Sequence, residues 1–307
     1  VVWLAVVPVA GQAQTAAANT ASTFRTPWGD PDLQGLWTTW DETPYQTPDP
    51  DAPPRRASER TLAAFRDGVV NASGSGMAII YYGPVSPRRP GALVVDPPNG
   101  RVPLITRVKE DEARTLRLLG DHWEHHSIWQ RCISRGVPGR LLQGGIGGYD
   151  RAYRLLQSPG YVIVFTETIH EARFIPVDGR PHVGSTIRLW NGNSRGRWDG
   201  ETLVVETTNF NNKGDGNGGG RQTETLRLVE RFTRLDAKTL NYEVTFEDPA
   251  VYTRPWTGRQ PHNLDPNYTM HEVACHEGNT RYMQGALEHG RLLDAEETEA
   301  AKKPDGQ

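Results

Sequence analysis

The sequence predicts a mainly β domain, an antiparallel meander that closes into a barrel or a strongly curved sheet. Three observations carry this. Runs with a period of two fill the second half of the chain. Turn residues separate them at short intervals. Gly 32 and Pro 23 in 307 residues favour many turns over long helices.

The runs come in order. Tyr161, Ile163, Phe165 and Glu167 alternate with Val162, Val164 and Thr166. Leu203 to Thr208 follows the turn Trp198-Asp199-Gly200-Glu201. Leu226, Leu228, Glu230 and Phe232 share one face of the next run. Leu240, Tyr242, Val244 and Phe246 alternate with Asn241, Glu243, Thr245 and Glu247, the pattern of a half-buried strand. Short connections make the pairing antiparallel, and a closed barrel removes exposed edges.

The remaining segments frame this sheet. Residues 1–13 have the form of a signal peptide remnant, an apolar VVWLAVVPV followed by small residues at Gly11 and Ala13. Residues 14–27 read as a linker. A single β-rich domain is expected over 28–293, with its main sheet at about 150–280 and a loop-rich N-terminal segment packed on it. Ser58 to Phe65 predicts a short helix, and Ala92 to Val95 a strand that ends in the turn Asp96 to Gly100. A helical insert is expected at about 107–135, split into two short helices by Gly120. Asp121 and Glu124 form a capping box for the second, and Gly136 and Pro138 stop it. Residues 294–307 read as a disordered tail.

Composition narrows the function classes. Lys+Arg 34 against Asp+Glu 37 leaves a net charge of -3, without the basic excess that marks a nucleic-acid surface. After the leader no stretch is apolar enough for a transmembrane helix. An exported protein, periplasmic or extracellular, is expected. Cys132 and Cys275 are then expected to pair, closing a loop of nearly half the chain.

Several segments together resemble a family of exported bacterial proteins. They are WGDPDLQG (28–35), PGYV (159–162), DGRPH (178–182), GRWDGETLVVET (196–207), LRLVERFT (226–233), YTRPW (252–256) and CHEGN (275–279). The resemblance implies secretion and brings no activity with it. Gln34-Gly35-Leu36-Trp37 also resembles the Gly-x-Trp that opens many lipocalin-like barrels, an analogy of fold only.

Standard catalytic signatures fail. There is no Gly-x-Ser-x-Gly elbow. Gly214 to Gly220 lacks the Lys-Ser/Thr of a phosphate loop, and reads as a flexible hairpin tip. His271-Glu272-Val273-Ala274-Cys275 has Cys where a zincin needs its second His.

The candidates that remain are dispersed. His122 and His125 share one face of the expected second helix, and a Cys132–Cys275 bridge would draw His271 and His276 towards them. These four are the candidate ligands of a transition metal. His125, His276 and Glu230 are the candidate acid/base groups. Glu230 is chosen because a carboxylate on an apolar face is costly unless paired with an Arg, and its proton affinity is then displaced. Trp190, Trp198, Trp256, His170, Arg173 and His182 are the candidate ligand-binding residues at a barrel mouth, since tryptophan-lined pockets suit flat or apolar molecules.

The leading expectation is a secreted protein that binds a small hydrophobic or aromatic ligand in a β-barrel-like cavity. The alternatives are a periplasmic hydrolase or lyase with a His-rich site, and an envelope interaction protein.

Overall fold

The computed structural model describes residues 24–48, 86–106, 108, 121–143, 151–214 and 222–302. The expected leader, the helix at Ser58 to Phe65, most of the helix at 107–119 and the glycine-rich tip after Gly214 lie outside these residues.

Ten strands form one antiparallel sheet. β1 is Gly35–Thr38, β2 Val94–Asp96, β3 Ala152–Ser158, β4 Tyr161–Thr166 and β5 Ala172–Pro176. β6 is Asn193–Asp199, β7 Thr202–Thr208, β8 Arg227–Arg234, β9 Thr239–Glu247 and β10 Trp256–Leu264. The order is β5-β4-β3-β1-β10-β9-β8-β7-β6, with β2 added to β10 at an irregularity between Thr257 and Gly258.

The sheet curls until its two ends meet and nearly closes a barrel. The seam shows in the packing. A Cβ on Gly196 of β6 would stand 2.7 Å from Val177 and 3.0 Å from Ile175, so only glycine lets β6 lie against the β5 side.

Alternation sets the inside of the barrel. Leu228, Glu230 and Phe232 of β8 are buried between half-buried neighbours, as are Leu240, Tyr242, Val244 and Phe246 of β9. Facing rows follow from register. Leu228 pairs with Phe246 and Phe246 with Trp256, while Phe232 pairs with Tyr242 and Tyr242 with Gln260. The outward row Arg231, Glu243 and Arg259 runs across the same three strands.

Three expectations change. The N-terminal segment does not merely pack on the sheet. Gly35–Thr38 enters it between β3 and β10, pairing Trp37 with both Tyr153 and Leu264. The second helix does not form over 121–135. The chain makes a 3-10 turn at Trp123–His125 and then further turns, and Cys132 sits at φ 54, a backbone that no α-helix can pass through. Asp121 pairs with His125 at 2.8 Å, and His122 Nδ1 accepts from the Glu124 amide at 3.3 Å. The tail is ordered further than expected. Asn279–Lys302 is an α-helix, α1, rich in Ala, Glu, Leu and Arg, which favour helix without much packing.

Cys132 and Cys275 form a disulfide between residues 143 apart in sequence. It ties the segment between β2 and β3 to the turn that opens α1. No helix among the described residues is long and apolar enough to cross a membrane.

Candidate functional site

One end of the barrel is stoppered by the chain between Ser134 and Gln143. Gly258 makes room for it: a Cβ there would stand 2.4 Å from Leu142 Cδ2. Side chains of β10 then fix the stopper. The Gln143 amide donates to Gln260 Oε1 at 2.8 Å, and Gln260 Nε2 donates to the Thr39 carbonyl at 2.8 Å and the Gln143 carbonyl at 3.2 Å.

His262 adds a second tie. Its Nε2 lies 2.9 Å from the Leu141 carbonyl and its Nδ1 lies 2.6 Å from the Tyr153 hydroxyl. Burial pushes the imidazole down to about 3, against the opposing pull of the Leu141 hydrogen bond, so the ring is neutral at pH 7. A carbonyl only accepts, so Nε2 carries the proton and Nδ1 accepts from Tyr153.

Beside this lies an ion pair. Glu230 is fully buried. Arg173 Nη1 and Nη2 donate to its two oxygens at 2.8 and 3.0 Å, and the Tyr242 hydroxyl donates at 2.9 Å. Burial opposes the Arg173 charge, but the Glu230 carboxylate overrides this and raises the guanidinium above the ordinary arginine range. Burial, then the Glu230 charge, pushes the phenols of Tyr153 and Tyr242 well up, so both stay protonated. The Tyr242 ring stacks on His262 at 5.2 Å, which joins the two groups.

Under the stopper is a cavity of about 30 Å³. That is room for about two waters. Val137, Pro138, Leu141 and Val164 give it apolar walls, and Arg135, Arg140, Arg173, Glu171 and Asn191 give it polar ones. The polar walls are braced. Ser134 Oγ lies 2.9 Å from both Glu171 Oε2 and Asn191 Oδ1, and Asn191 Nδ2 donates to Glu171 Oε1. Burial raises the Glu171 carboxyl, and these bonds and the charge of Arg173 partly counter it.

Tryptophans stand around this end. Arg135 lies over Trp129 at 4.3 Å. Arg131 lies over Trp123 at 5.1 Å and Trp190 at 5.9 Å.

The other residues singled out in the sequence scatter. Arg173 and Glu230 come together, as the cost of a buried carboxylate demands. Trp256 is fully buried and stacked on Phe246 at 4.0 Å, which leaves it no face for a ligand. Trp198 packs partly buried against the core. His182 lies 3.4 Å from Glu206, and His170 is exposed at the end of a 3-10 turn. Glu167 is buried and accepts from the Tyr268 hydroxyl at 2.7 Å and the His271 amide at 2.8 Å.

The metal expectation finds no support. Among the described residues no three His, Cys, Asp or Glu side chains gather as ligands. His122 and His125 sit on a 3-10 turn with centroids 5.7 Å apart, while His271 and His276 are exposed in the chain before α1.

Tyr153, His262, Gln260 and Asn191 were missed in the sequence. Trp256, Gly258, Gln260 and His262 do alternate, but Gly258 and Pro261 interrupt the apolar signal. Family models, curated proteins and solved structures give no match to this chain.

Proposed function

We propose that the protein binds a small, ring-bearing organic molecule at the barrel end stoppered by residues 134–143. One observation carries this reading: a cavity whose apolar walls meet a braced set of polar side chains, with Arg135 of its wall over Trp129 and Trp190 next in sequence to its Asn191. Flat apolar molecules suit tryptophan faces, and braced polar groups give orientation without reorganisation. The disulfide between Cys132 and Cys275 supports a second part of the reading, that the protein works after export, in the periplasm or outside the cell.

A hydrolase or lyase needs a titratable group that substrate can reach. Glu230 has both oxygens bonded inside the barrel, and His262 is sealed between Tyr153 and Leu141. These groups support the stopper rather than a reaction.

Saturation-transfer NMR against a set of small ring compounds tests the binding reading. Expected are hits that compete with one another and vanish in Val164→Phe, which fills the cavity from β4. Hits that a folded Val164→Phe retains, or no hits at all, would contradict it.

A further inference from the structure

Ser134, Glu171 and Asn191 touch one another in a closed triangle. Ser134 Oγ lies 2.9 Å from Glu171 Oε2 and 2.9 Å from Asn191 Oδ1, and Asn191 Nδ2 meets Glu171 Oε1. The Gly136 amide also donates to Ser134 Oγ at 2.8 Å. Ser134 is buried, where a polar contact that lacks its proton is costly.

Each contact of the triangle needs one proton. A hydroxyl has one to give, and an ionised carboxylate has none. With Glu171 ionised, Asn191 supplies one contact and Ser134 one, and the third brings two bare oxygens together. Turning the Asn191 amide over does not change the count. Ser134 then donates to Glu171 and accepts from Asn191, but Asn191 Oδ1 faces Glu171 Oε1. A proton on Glu171 satisfies all three contacts in either orientation. In the orientation observed, Glu171 donates to Ser134, Ser134 to Asn191 and Asn191 to Glu171.

The surroundings favour that proton. Burial raises the Glu171 carboxyl, and the bonds from Ser134 and Asn191, the Arg173 charge and the Arg135 amide counter only part of this. Arg173 gives both terminal nitrogens to Glu230 of β8. Arg135 and Arg140 of the stopper share the cavity wall with Glu171. On its other side His170 is exposed, and Glu167 is bonded to Tyr268 and the His271 amide.

The triangle holds the start of the stopper. The far end is tied by Gln143 to Gln260 and by Leu141 to His262, and the middle by Gln222 Nε2, which donates to the Val137 carbonyl at 3.2 Å. Glutamine does not titrate and His262 is neutral at pH 7. Only the hold on residues 134–136 depends on a proton.

We propose that Glu171 carries a proton in the closed protein, and that its ring with Ser134 and Asn191 is a pH-sensitive latch on the cavity. Protonated Glu171 holds the start of the stopper down. Loss of the proton to solvent leaves one contact unmet and frees it. The unfolded carboxyl releases its proton near 4.5. The latch is therefore whole below pH 4.5 and lost as pH rises through the higher folded value. Control of entry by this latch rests on the binding reading above, but the latch itself is read without any ligand.

Two measurements on the full, disulfide-intact chain test it between about pH 4 and pH 8. The first is the ¹³C shift of the Glu171 carboxyl, assigned through its own backbone. Its midpoint is expected above 4.5, and a midpoint at or below 4.5 would overturn the proposal. The second is hydrogen exchange of the Gly136 amide, corrected for the intrinsic rate. Protection is expected to fall about tenfold as pH rises, the loss of one hydrogen bond. In Glu171→Gln the amide Nε2 replaces the protonated oxygen and Oε1 still accepts from Asn191, so protection is expected to stay high throughout. Protection that is flat in the unaltered chain, or that falls equally in Glu171→Gln, would overturn the latch. Failure of the ring-compound screen with both results as expected would overturn the binding reading alone.

Discussion

The interior of this barrel holds two different fillings. Around Trp256 it is aromatic and uncharged. Phe246 stacks flat on Trp256 at 4.0 Å and 4°, with Tyr252 at 5.8 Å and Tyr45 at 6.4 Å edge-on. Around Glu230 it is ionic and hydrogen-bonded, with Arg173, Tyr242, His262 and Tyr153 in one connected group. Both fillings rise from β8, β9 and β10, a few residues apart. The aromatic filling is satisfied by volume and shape. The ionic one is satisfied only by a complete set of partners. The complete set lies next to the stopper and its cavity, and that is where the barrel departs from a plain core.

Glu230→Ala should separate the two fillings most strongly. It leaves the buried Arg173 charge without a partner and should cost about 3–5 kcal/mol by urea unfolding. The double change Arg173→Met with Glu230→Leu should recover most of that loss, because a buried pair is worth little more than apolar residues of similar volume. Trp256→Ala should cost about as much, through the cavity left behind. No second change on a neighbour should rescue it in the same way. A Glu230 loss that the double variant fails to recover would erase the distinction.

The disulfide tests whether the stopper end is held from outside the barrel. Cys132→Ser with Cys275→Ser should cost about 2–5 kcal/mol, since the bridge closes a long loop in the unfolded chain. Hydrogen exchange should then rise first at residues 134–143 and little around Trp256. Uniform loss of protection would speak against a separate stopper.

Acid should act on the ionic filling before the aromatic one. The folded His262 ring titrates at about 3, below its ordinary value of 6.5. Between these values the unfolded chain binds a proton that the folded one refuses. The contribution is whole above pH 6.5 and is lost as pH falls, by up to about 1.4 kcal/mol per unit. His262→Gln should flatten the stability profile between pH 6.5 and 5. An unchanged slope would mean that His262 is not sealed as described.

The outer face should respond least. Glu243 pairs with Arg259 on the solvent side of β9 and β10. Glu243→Gln should shift stability by no more than about 0.5 kcal/mol.

Much of this barrel was legible because alternation reports directly on which face is buried. Leu226 to Phe232 and Leu240 to Phe246 showed their inner rows, and Glu230 stood out among its apolar neighbours. Its partner did not. Arg173 lies 57 residues away on β5, which reaches β8 across the interior rather than through strand pairing. The helix expected up to residue 135 fails for the opposite reason. The capping-box signal is local, but the backbone at Cys132 is fixed by the tie to Cys275, which lies far along the chain. The cavity was illegible because it belongs to no single element. It exists only where the 134–143 stopper meets β4 and β5.

The central claim is that the cavity under the stopper, and not the aromatic filling or the histidine turn, is where the protein meets its ligand. A ¹H–¹⁵N shift map of the disulfide-intact protein titrated with a ring compound found by saturation transfer tests this most directly. The largest shifts should fall on the amides of Gly136, Gly139, Thr166, Thr168 and Asn191. Largest shifts at His122 and His125, or around Trp198 and His182, would contradict it.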